Sequence, residues 1–202
     1  QAKARAAGTP VAADIVEWHR LRAGLGDWSA YTDFLRRNPD WPGLDLMRRR
    51  AEGAMPGSLP ADQVRAFFSQ DLPQTGRGVL LYANALPAQA AQVERARAWR
   101  TMAMSREDRA VFLSRFGGEL KALHPARLDV LLWEGETQAA EELLPLVPAA
   151  DAALARARIA LQRKAPGVDA LIAAVPKTRA NDGGLAHDRF RWRLDKGRWD
   201  SA

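Results

Sequence analysis

Apolar side chains recur every third or fourth position through most of this chain, the spacing of helices with one face turned inward. Ile15, Trp18, Arg22 and Leu25 fall at i, i+3, i+7 and i+10, with one polar intrusion. Trp28, Tyr31, Phe34 and Leu35 mark a second helix, and Val64, Phe67 and Phe68 a third. Val168, Leu171, Ile172 and Val175 form an unbroken i, i+3, i+4, i+7 stripe. No stretch alternates apolar and polar residues over strand length. Alanine, the best helix former, supplies much of the apolar content. The pattern predicts an all-α protein whose helices cover one another's stripes.

The punctuation agrees. Asp27 is placed to cap a helix beginning at Trp28, its carboxylate accepting a free N–H of the first turn. Ser105 followed by Asp108 resembles a capping box, with Asp in place of the usual Glu. Most prolines fall at proposed helix ends, and Pro145, near the end of an apolar helix, is expected to shorten or kink it. Residues 1–12 carry no apolar stripe and are expected to be poorly ordered.

Gly135, Gly167 and Gly197 each follow a helix and precede another, 32 and 30 residues apart. Gly26 and the Pro56-Gly57 turn echo them, 31 residues apart. Helix–turn–helix units at this period are the mark of a tetratricopeptide-like array, in which each unit buries its stripe only against a neighbour. Residues 13–202 are therefore expected to form an α-α superhelix of helical hairpins, with a blurred register between 73 and 105. Gly197-Arg198-Trp199 echoes Gly26-Asp27-Trp28, which opens a full helix, yet the sequence stops mid-repeat without a polar cap. That is expected of a piece of a longer protein.

Composition narrows the chemistry. Without cysteine there is no disulfide, thiolate nucleophile or Cys-bound zinc. The 30 Lys and Arg against 24 Asp and Glu give a net charge of +6. The basic residues are spread among acids along every helix, without the clustered basics and aromatics of a nucleic-acid site, so nucleic acid is disfavoured. No apolar run is long enough to span a membrane.

His19, His124 and His187 lie far apart and form no metal-binding spacing, so they read as surface or packing residues. His187 and Asp188, being adjacent, are expected on different sides of a helix. There is no Gly-x-Ser-x-Gly elbow. Gly76-Arg77-Gly78 lacks the Gly-Lys-Ser/Thr of a phosphate loop, and Gly183-Gly184 reads as a turn. Glu134, Glu136, Glu141 and Glu142 all read as solvated carboxylates, and no segment promises the apolar pocket a catalytic Glu needs. The sequence points to no catalytic centre, metal or cofactor. Trp18, Trp28, Trp133, Trp192 and Trp199 cluster at hairpin turns, where their rings are expected to lock helices together. If the array curves, basic residues of Arg48-Arg49-Arg50 and of Arg189, Arg191 and Arg193 would line its concave side. Arg48, Arg49, Arg189 and Arg193 are the candidate ligand-binding residues.

Residues 14–202 also resemble a known family. Gly26-Asp27-Trp28-Ser29-Ala30-Tyr31 through Asn38-Pro39-Asp40-Trp41-Pro42 looks like the N-terminal superhelical region of bacterial soluble lytic transglycosylases. Gln74-Thr75-Gly76-Arg77-Gly78, Ala96-Arg97-Ala98-Trp99-Arg100, Arg127-Leu128-Asp129 through Gly135, and Gly184 through Arg193 are similar to its later repeats, in the same order. The resemblance implies a periplasmic helical domain that supports a C-terminal lysozyme-like domain and positions peptidoglycan glycan strands. It also implies that the family's catalytic glutamate, in a Glu-Ser motif followed by Gly-Leu-Met-Gln, lies elsewhere, since neither motif occurs in this chain. A general tetratricopeptide-like scaffold for a protein partner is the competing expectation.

Overall fold

The computed structural model describes residues 10–197, and the described chain is all-α, without strands. Its contacts divide it into two compact units, residues 1–98 with 102–109 and residues 99–101 with 110–202. In chain order the helices are α1 (Pro10–Arg22), α2 (Trp28–Arg37), α3 (Leu44–Ala54), α4 (Ala61–Phe67), α5 (Gly76–Ala85), α6 (Ala88–Thr101) and α7 (Arg106–Leu120). They continue as α8 (His124–Trp133), α9 (Thr137–Leu143), α10 (Ala149–Gln162), α11 (Val168–Ala173) and α12 (Gly183–Asp195). Pro10 to Ala12 form the first turn of α1, where Pro needs no N–H partner. Residues 1–9 and the echo at Arg198 and Trp199 lie outside the described residues.

In the first unit the core joins Leu21, Tyr31, Phe34, Met47 and Ala51, with Trp18, Trp28 and Trp41 packed around it. A second cluster holds Met55, Val64, Phe68 and Ala85. The stripes of α2 and α4 are thus as the spacing predicts. That of α1 is not: Ile15 and Leu25 are exposed, and Leu21 is the buried apolar residue. Gly24, at φ 86°, ends the helix with a Leu25 N–H to Arg20 C=O bond. Leu25 therefore lies beyond the helical register. Asp27 caps α2, accepting from Ala30 N at 2.8 Å. Ser105 accepts from Asp108 N at 3.0 Å, the serine half of the expected box.

The second unit is built around α10, which packs against α8, α9, α11 and α12. Ala152, Ala155, Ala157 and Ala160 are all buried on it, and so small a side chain lets neighbours approach from several directions. Leu154, Leu161, Val168, Val175 and Leu185 complete this core. α9 stops at Leu143, and Leu144–Leu146 tighten into a 3-10 turn around Pro145, the expected shortening. Three of the long-range polar bonds span about one repeat. Arg158 reaches Asp129 and Asp188, 29 and 30 residues away, and Gln162 reaches the Leu132 carbonyl, 30 away. Helices one repeat apart are therefore neighbours, which makes the fold helical-repeat-like.

Candidate functional site

The second unit contains an open cleft of about 420 Å³. The end of α8 supplies Leu132 and Trp133, the following turn Glu134 and Gly135, and α9 Thr137. The C-terminal end of α10 supplies Gln162 and Arg163, and α12 supplies His187, Asp188, Arg191, Trp192 and Asp195. Gly135, at φ 77°, takes a left-handed conformation that lets Glu136 N bond back to the Leu131 carbonyl at 2.9 Å. This turn fixes Trp133 at the lip.

Trp133 is 53% exposed, although Leu128, Leu131 and Leu132 on the same helix are buried. The Arg158 guanidinium lies 5.1 Å from its ring centre, and the His187 ring 5.2 Å away at 44°. The ring is thus held in place while half its surface meets solvent. Arg158 is itself fully buried, donating from Nε to Asp188 Oδ2 at 2.7 Å and from Nη1 to Asp129 Oδ1 at 2.8 Å. Gln162 Nε2 donates to the same Asp188 oxygen at 3.0 Å. Such a pair, stripped of water, fixes geometry more than it adds stability.

His187 Nδ1 lies 3.4 Å from Asp188 Oδ1, and both side chains line the cleft. The expectation that these neighbours point to different sides of α12 is thereby corrected. Adjacent helical residues diverge by about 100°, which an open cleft accommodates along its wall. On α12 the lining positions 187, 188, 191, 192 and 195 follow one face. Arg189 and Arg193 are not on it; the α12 arginine in the cleft is Arg191. Arg48 and Arg49 belong to the first unit, where Arg48 pairs with Asp71 at 2.9 Å and Arg49 donates to Gln74 Oε1 at 3.1 Å. Arg189 and Arg193 belong to the second unit. The flanking Arg50 packs its guanidinium against Gly24.

Two features escaped the sequence. Trp99, not a turn tryptophan, is the fully buried one among the described residues, stacked 6.3 Å from Phe112 and edge-on to the buried His124. Burial pushes the His124 imidazole pKa down. The second is Glu52, 1% exposed on α3. It accepts from Gln74 N at 2.8 Å, Thr75 N at 2.7 Å and Thr75 Oγ1 at 2.6 Å. Burial raises its pKa, against the pull of these bonds. Glu17 and Glu94 are also buried, each paired with the arginine three residues on, at 2.6 Å. That Glu-x-x-Arg spacing was a legible signal. Glu134, Glu136, Glu141 and Glu142 are exposed, as expected.

Among the described residues, no three His, Asp or Glu side chains are placed to hold a metal ion, and no helix is long and apolar enough to cross a membrane. Comparison with protein-family models, curated proteins and solved structures gives no match.

Proposed function

We propose that this chain is a noncatalytic helical module that holds peptidoglycan glycan strands and supports the separate lysozyme-like domain of a periplasmic lytic transglycosylase, its hairpins stacked into a superhelix. The observation that carries this reading is the cleft at Trp133. An aromatic ring that is half exposed yet braced from behind by Arg158 offers a flat apolar surface for a sugar ring. Polar groups around it supply hydrogen bonds.

The carboxylates support a binding role over an acid–base one. Asp188 is neutralised by Arg158 and Asp195 by Lys164 at 3.0 Å, while Glu134 is open to water. Glu52, the acid whose pKa is pushed up, is buried and walled in by the 74–75 loop.

The test is a titration of the full chain with purified glycan strands at low salt, following the indole N–H of Trp133 by NMR. Weak binding that fades as salt rises is expected, and Trp133→Ala should abolish it. A Trp133 signal that does not move leaves only the architectural role. A release of anhydro-muropeptides by this chain alone would overturn the noncatalytic reading.

A tetratricopeptide-like scaffold for a partner helix is the second reading. It is favoured by an apolar groove of about 450 Å³ in the first unit, lined by Val11, Ile15, Trp18, Trp41 and Pro42. Glycan that shifts Trp133 while leaving Trp18 and Trp41 unmoved separates the two.

A further inference from the structure

α1 carries apolar residues on two faces. Leu21 is buried in the core of the first unit, whereas Val11 and Ile15, one helical turn apart, are 61% and 46% exposed. With Trp18, Trp41 and Pro42 they line an open apolar groove. Its aromatic part is held in place: Trp18 Nε1 donates to the Pro42 carbonyl at 2.9 Å, and the two indoles meet edge to face at 6.5 Å. An apolar surface fixed in contact with water is the mark of a docking face.

The charges beside it point to the occupant. Glu17 pairs with Arg20, Asp14 with Arg37, and Asp33 with Arg36 and Arg37, so these are matched within the chain. Two exposed charges at the groove have no ion-pair partner among the described residues. One is Asp40, which lines it; the other is Arg22, whose guanidinium lies 4.3 Å from the centre of the Trp18 ring. One open anion, one open cation and an apolar centre make a surface complementary to itself.

We propose that this groove is a dimer interface, occupied by α1 of a second copy of the chain about a two-fold axis. Ile15 of each copy enters the groove of the other, and Arg22 of each pairs with Asp40 of the other. In a two-fold contact residue i meets j and j meets i, so one complementary pair satisfies four charges. A foreign helix would have to bring an acid, a base and an apolar ridge in the matching arrangement; a second copy already has them. The proposal concerns the first unit alone and stands or falls apart from the glycan reading. It replaces the unspecified partner helix of the scaffold reading with α1 itself.

The test is sedimentation of the intact chain from about 1 µM to 1 mM, the span over which small interfaces form and part. A monomer–dimer equilibrium is expected, and the Trp41 indole signal should move with concentration while that of Trp133 stays. Asp40→Arg and Arg22→Asp should each weaken the dimer at least about tenfold, since each sets like charges opposite one another. Mixed in equal amounts, the two variants should associate again, because opposite charges then meet at both contacts. Val11→Glu should weaken the dimer without altering either charge. Thermal melting of the dilute variants checks that each is folded. A chain that stays monomeric at the highest concentration, or a dimer that persists in Asp40→Arg and Val11→Glu, overturns the proposal. So does a failure of the two folded charge variants to associate when mixed.

Discussion

The guanidinium of Arg158 occupies the space that a Cβ on Gly184 would need, closer than real Cβ contacts come. Glu52 has the same relation to Gly78 in the first unit. In each case a buried charge lies against the first turn of a helix, α12 or α5, and a glycine makes room for it. Neither glycine has a positive φ; what each supplies is absence of bulk.

Gly184→Ala should therefore be costly. The methyl would displace a guanidinium that is already bonded to Asp188 and Asp129, so a loss of about 2–4 kcal/mol is expected. Gly183→Ala is the control, because a Cβ there meets nothing within 4 Å. It should be neutral or slightly stabilising. Urea denaturation followed by circular dichroism checks both.

Asp188→Leu alone should destabilise the second unit by about 3–5 kcal/mol, since it leaves the Arg158 cation buried beside an apolar group. Adding Arg158→Met should recover most of that loss, as Asp129 is 56% exposed and can return to water. A double variant no more stable than the single one would show that the cation itself is needed for packing.

Lys164 is the only non-glycine among the described residues with a positive φ, 54°. It ends α10 as Gly24 ends α1, with Ala165 N bonded to the Ala160 carbonyl at 2.9 Å. Lys164→Gly should stabilise by about 0.5–1 kcal/mol. Its surface pair with Asp195 subtracts little, because both partners are about half exposed. Thermal melting of the single variant checks the sign.

Glu52 should give an unusual pH signature. Its folded-state pKa lies above the ordinary value of 4.5, so the folded chain holds that proton more tightly than the unfolded one. Its contribution is fully present below 4.5 and is lost as pH rises through the folded-state pKa. Asp27, Asp33 and Glu107, whose pKa values are lowered by hydrogen bonds, act in the opposite sense and weaken the fold as pH falls. The Glu52 effect is isolated by comparing wild type with Glu52→Gln. The melting-temperature advantage of wild type should shrink from pH 4 toward neutrality; an advantage that grows would contradict it.

Local rules were legible in the sequence wherever one residue sufficed to state them. Asp27, Ser105 and Pro145 act where their chemistry placed them, and the stripes of α2, α4 and α11 face inward as their spacing required. The all-α class followed from these. The stripe of α1 was misread because Gly24 ends that helix before Leu25, and a stop inside an apolar run does not show in periodicity. The cleft was less legible. Trp133 looked like a packing residue, because nothing in Leu131-Leu132-Trp133 tells which side of the helix stays wet. That depends on α12, some sixty residues later. Glu52 was invisible for a related reason: its partners are backbone N–H groups, which carry no residue identity.

In the second unit one side chain, Arg158 of α10, clasps α8 and α12 at once. Severing that clasp should loosen α12 first, so amide exchange along Gly183–Asp195 ought to quicken while α1 to α4 keep their native rates.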